Sequence, residues 1–118
     1  MPDKPVMPPK PKSSVNRPAT RQEKATADVI AATVSYRAAL ERVLAVHERE
    51  LARRTELAEL RRDLFNRGVL KQREFDEGQQ AQAEAKRNVE DARRAIADAD
   101  RMLAEARAAI AAAKKEKL

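Results

Sequence analysis

Cysteine is absent from the 118 residues, so neither a disulfide framework nor a thiolate metal site can form. Aromatic residues are scarce: two Phe, one Tyr and no Trp. That is too little bulk for the core of a conventional globular domain. No apolar run approaches the ~18 residues that a membrane-spanning helix needs. The opening Met1-Pro2-Asp3-Lys4-Pro5-Val6 lacks the apolar stretch of a secretory signal. The compartment is left open, cytoplasmic by default and periplasmic for a processed chain. Gly68 and Gly78 are the only glycines, too far apart to build a phosphate-cradling loop.

What the chain does contain is charge and alanine. Charged residues make up 37% of it, a composition typical of long helices and coiled coils. The net charge of +6 is unevenly spread. Residues 1–20 carry four basic groups and one acidic, residues 21–67 ten and eight, and residues 68–118 eleven and ten. Half the excess therefore sits in the first 20 residues. The rest is nearly balanced, whereas nucleic-acid binders concentrate Lys and Arg on one face.

From Phe75 to Ile110 one pattern recurs every seventh residue. One position reads Phe75, Gln82, Val89, Ile96, Leu103, Ile110, and the position three residues later reads Gly78, Ala85, Ala92, Ala99, Ala106, Ala113. Alternating steps of three and four keep one apolar seam facing a partner helix. The second position is always Gly or Ala, which predicts an unusually close partner backbone. The predicted packing seam is thus Gly78, Ala85, Val89, Ala92, Ile96, Ala99, Leu103, Ala106 and Ile110.

A second helix is predicted upstream, over about 20–66. Thr20 followed by Glu23 reads as a capping box, and no Pro or Gly interrupts the residues that follow. Its stripe reads Tyr36, Leu40, Val43/Leu44, His47, Leu51, Leu57/Ala58, Leu60/Arg61, Leu64/Phe65, and it drifts where charges occupy Glu50 to Arg54. Gly68 suits the left-handed turn that ends a helix, so a tip is expected at about 67–70 and the next helix at about 71–117. Equal arms of about 70 Å joined by a short connection form an antiparallel hairpin. The fold class is all-α: a long antiparallel two-helix coiled-coil hairpin over residues 20–118. A hairpin alone buries little apolar surface, so packing against copies of itself or other proteins is expected.

Residues 1–19 form a basic, proline-rich tail, disordered or extended. Pro2, Pro5, Pro8 and Pro11 recur every third residue, the period of a polyproline II helix. They are the candidates for docking the tail on a neighbour.

The tip, Leu64-Phe65-Asn66-Arg67-Gly68-Val69-Leu70-Lys71-Gln72-Arg73-Glu74-Phe75-Asp76, resembles the hairpin tip of periplasmic adaptor proteins, the membrane fusion proteins of tripartite efflux pumps and type I secretion systems. The Ala-rich Ala81-Gln82-Ala83-Glu84-Ala85 is similar to the helix that follows in that family. The resemblance covers the hairpin region only, roughly residues 58–103. It implies shafts packed side by side and a tip docked end-on to an outer-membrane channel. Of the family's Arg, Leu and Ser contacts, Leu64 matches the Leu. Leu60 stands at the Arg position and Lys71 at the Ser position.

Candidate sites follow from these elements. Leu64, Phe65, Val69, Leu70, Lys71 and Phe75 crowd the tip, where apolar groups either close over one another or form a docking patch. His47, the only histidine, falls on a seam with no cysteine or nucleophile to work with, and is expected to be an interface residue. Glu90, Asp91, Asp98 and Asp100 alternate with Arg93, Arg94 and Arg101, as on a solvated face laced with ion pairs. No catalytic residue, cofactor or metal ligand is expected. Arg53, Arg54, Arg61, Arg62 and Arg67 are the nearest approach to a basic stripe, with Glu50, Glu56, Glu59 and Asp63 interleaved and no aromatics to stack bases.

The leading expectation is a non-enzymatic structural or interaction protein with protein partners, through self-association or within a larger complex. A second is a small subunit of a virion, filament or membrane complex, anchored by the hairpin with its tail on a neighbour. A basic nucleic-acid-associated coiled coil is the least supported.

Overall fold

A computed structural model describes residues 20–116. Pro2, Pro5, Pro8 and Pro11, with the tail docking expected of them, lie outside those residues, as does Lys117. Two helices account for nearly all of the described chain: α1, Arg21–Asn66, and α2, Gln72–Glu116. They pack side by side as a hairpin about 71 Å long, without strands among the described residues.

Local chemistry sets both ends of α1. Thr20 Oγ1 accepts the Glu23 N–H at 3.0 Å, satisfying one of the orphan donors of the first turn. At the other end Gly68 adopts φ +78°. Its N–H reaches Phe65 O at 2.9 Å, and the Val69 N–H reaches Leu64 O at 3.0 Å. This pair of bonds is a Schellman cap, which needs a left-handed residue at its corner. Lys71 then occupies the position before α2 and offers no side-chain acceptor. Half of a capping box survives: Glu74 Oε1 accepts the Lys71 N–H at 3.3 Å.

The register follows from side-chain contacts. Phe65 stacks on Phe75, Arg61 lies over Gly78, and Gln82 Nε2 donates to Thr55 Oγ1 at 3.2 Å. Farther from the tip, Arg93 Nη2 donates to Glu48 Oε2 at 3.1 Å and Arg37 pairs with Asp100. One number falls as the other rises, so the helices are antiparallel. In the heptad of α2, the first position holds Val89 and Leu103 buried and Ile96 and Ile110 half-buried. The second holds Gly78, Ala85, Ala92 and Ala99 buried.

The matching seam of α1 is an unbroken heptad, which corrects the drifting stripe expected from the sequence. Ile30, Arg37, Leu44, Leu51, Ala58 and Phe65 hold one position, and Thr33, Leu40, His47, Arg54 and Arg61 the other. All are buried or half-buried. Tyr36, Val43, Leu57 and Leu60, which belong to the expected stripe, are exposed.

The register sets the longer column of α1, Arg61, Arg54, His47 and Leu40, against Gly78, Ala85, Ala92 and Ala99. A Cβ added to Gly78 would come within 2.8 Å of Arg61 Cδ. At this layer the small residue therefore receives the side-chain stem of Arg61. Long polar side chains can lay their methylenes on such a column and keep their heads wet. Thr33 Oγ1 donates to Val29 O at 2.7 Å, so the one buried polar side chain of α1 is satisfied within its own helix.

Candidate interaction surface

At the tip, the rings of Phe65 and Phe75 stack with centroids 4.6 Å apart and planes 20° from parallel. Offset stacking of this kind adds about 1 kcal/mol beyond the area it buries. Leu64 and Leu70 are half-buried beside it, Lys71 is exposed, and Val69 is 69% exposed. The expected tip patch therefore divides. Two rings close the end of the hairpin on each other, and Val69 is the large apolar group left facing outward.

The two edges of the shaft differ in chemistry. Along one edge Glu48 meets Arg93, and Arg37 meets Asp100 and Glu41. The hydrogen bond and charge of Asp100 raise the pKa of Arg37 above its ordinary value despite its partial desolvation. It stays a cation throughout the physiological range. Arg73–Glu77, Asp91–Arg94 and Asp98–Arg101 link neighbours on α2. These three pairs involve exposed groups and contribute little each.

Along the other edge α1 carries Val29, Tyr36, Val43, Val46, Leu57 and Leu60, all exposed. With Ala32, Ala39, Glu50 and Arg53 between them they follow alternating steps of three and four, one residue ahead of the packed seam. This is a second heptad seam, turned about 100° from the first, and only Glu50 and Arg53 break it. At the corresponding flank of α2 stands Met102, half exposed. The sequence carried the signal as adjacent doublets: Val43/Leu44, Leu57/Ala58, Leu60/Arg61 and Leu64/Phe65 each contribute one residue to each seam.

The arginines suggested as a basic stripe are distributed differently. Arg54 and Arg61 are half-buried on the packed seam. Arg53 and Arg54 lie 3.8 and 3.4 Å from the carboxylate of Glu50, and Arg67 lies 3.2 Å from Asp63. His47 is half-buried on the packed seam. A hollow of about 320 Å³ is lined by Thr55, Ala58, Glu59, Arg62 and Gln82. Among the described residues no three of His, Asp and Glu converge to hold a metal ion, and no helix is long and apolar enough to cross a membrane.

Together these features define an antiparallel helical hairpin with one ion-paired edge, one apolar edge and a ring-stacked tip. No protein-family model matches the chain, and no characterised protein or solved structure matches it either.

Proposed function

We propose that this chain is a non-enzymatic structural protein, a helical hairpin that packs into a larger assembly through the apolar edge of its shaft. The observation that carries this reading is the second seam of α1: Tyr36, Val46 and Leu60 are each more than half exposed. A row of large apolar side chains along a rod marks a surface made to be covered. The family that its tip resembles, the efflux and secretion adaptors, uses hairpin shafts in this lateral way. By the same resemblance Lys71, at the Ser position, is a group for contact at the end of the rod, and the outward Val69 stands near it as the exposed apolar group of the tip.

Sedimentation equilibrium combined with circular dichroism, across a wide concentration range, tests the reading. It expects mass and thermal stability to rise together with concentration. A fully helical monomer with a concentration-independent unfolding midpoint would speak against assembly through the shaft. The tip contact has its own test. Val69→Asp should leave helicity and unfolding unchanged while weakening capture by the tip's partner, whereas Phe75→Asp should unravel the hairpin end as well. Equal loss of helicity in both variants would make Val69 part of the tip's own packing.

A further inference from the structure

We infer that the open seam of α1 is covered by the same seam of a second copy, antiparallel, with the two-fold axis passing between Glu50 and Arg53. This inference rests on the assembly reading above and is independent of the adaptor resemblance. Its warrant is the position of the charges. Glu50 and Arg53 interrupt an otherwise apolar row. Within its own helix Glu50 meets Arg54 and Arg53 at 3.4 and 3.8 Å, and a second copy laid on the row must set an opposite charge rather than an apolar side chain against each of the two.

The proposed pairing sets the first seam position of one helix against the second position of the other. It is unlike α1 on α2, where Phe65 faces Phe75 and Arg61 faces Gly78 and where the same layering would set Glu50 on Glu50. Placing the axis between the two charges sets Glu50 opposite the other copy's Arg53, and does so twice. The same register sets Val46 against Leu57 and Val43 against Leu60. It also sets Ala39, a small residue, against Leu64, and Tyr36 against Arg67, where a guanidinium can lie on the ring.

Other arrangements of the same seam lose this match. A parallel, in-register pair sets Glu50 on Glu50 and Arg53 on Arg53. Slipping the antiparallel pair by one heptad sets both charges against Val46 and Val43. Arg53 is free to turn outward: its side chain is 71% exposed, and its ion-pair contact is with Glu50 of its own helix at 3.8 Å. The arrangement lays each tip along the other copy's shaft, near Tyr36, so end-on contact through the tip requires the hairpin to leave this dimer.

The absence of cysteine makes the register directly measurable. In the 118-residue chain, V46C/L57C should give a covalent dimer on oxidation or with a short bifunctional maleimide. V46C alone should not, because Val46 of one copy and Val46 of the other stand about 16 Å apart across the axis, beyond the reach of a disulfide. R53E should weaken the dimer about ten- to thirty-fold, since two attractive pairs become repulsive. Adding E50R to it should restore association while circular dichroism stays constant.

Cross-linking of V46C alone would indicate parallel pairing and overturn the proposal. So would a charge swap that fails to rescue R53E. If mass rises with concentration but neither cross-link nor charge variants respond, this interface is wrong and the assembly reading stands. If mass never rises, both fall.

Discussion

The contact of Arg61 with Gly78 offers a sharp test of how the seam is built. A methyl group at Gly78 would stand 2.8 Å from Cδ and 3.0 Å from Nη1 of Arg61. Taken alone, Gly→Ala inside a helix gains about 1 kcal/mol from propensity. Here Arg61 must lift away to admit the methyl group, re-exposing about one methylene of its stem at ~0.8 kcal/mol. The two terms nearly cancel. Gly78→Ala should therefore change stability by less than about 0.5 kcal/mol, whereas the same substitution on an Arg61→Ala background should stabilise by about 1 kcal/mol. The coupling expected from the cycle, about 1 kcal/mol, lies within the range for residues in contact. Urea unfolding followed by far-ultraviolet circular dichroism measures it, at one fixed chain concentration because association shifts apparent stability. If Gly78→Ala stabilises both backgrounds equally, to within ~0.3 kcal/mol, Arg61 does not occupy the notch and this account of the seam fails.

Two further predictions concern the turn. Lys71→Ser should raise stability by about 0.5–1 kcal/mol, because the hydroxyl completes the capping box that Glu74 half makes; an unchanged urea midpoint would show that α2 starts without a cap. Gly68→Ala should cost about 1 kcal/mol. Nothing lies within 4 Å of the added Cβ, so the whole cost is conformational, and Gly68→Asn should recover part of it by tolerating the left-handed region. Equal stability of the Ala and Asn variants, measured by the same unfolding curves, would refute that assignment.

The helices were not equally legible from sequence, and the reason is physical. On α2 the packed face is the one continuous apolar face, with Val89, Ile96 and Leu103 on one column and Ala85, Ala92 and Ala99 on the next, so periodicity alone identifies it. The Gly68 turn was equally plain, because only a residue without a Cβ adopts φ +78° without strain. On α1 two seams lie one residue apart, and each doublet offers two candidates for a single inward position. A stripe read from that helix slides between them, taking Tyr36 from the open seam and Leu40 from the packed one. The apparent drift at Glu50 to Arg54 is the same effect: Glu50 and Arg53 belong to the open seam, Leu51 and Arg54 to the packed one.

Which seam turns inward is not a property of α1 alone. Leu57, Leu60 and Leu64 on the open seam are at least as apolar as Ala58, Arg61 and Phe65 beside them, so hydrophobicity does not decide. The tip does. The Schellman cap brings the chain back directly above Phe65, and the ring finds Phe75 at 4.6 Å. Once Phe65 faces inward, steps of four and three back along α1 bring Arg61, Ala58, Arg54 and Leu51 to the same side. The Gly and Ala column of α2 then accommodates the two arginines. A partner residue on the other helix thus fixes the rotation of α1, and Val29, Val43, Val46, Leu57 and Leu60 are left on its exposed apolar edge.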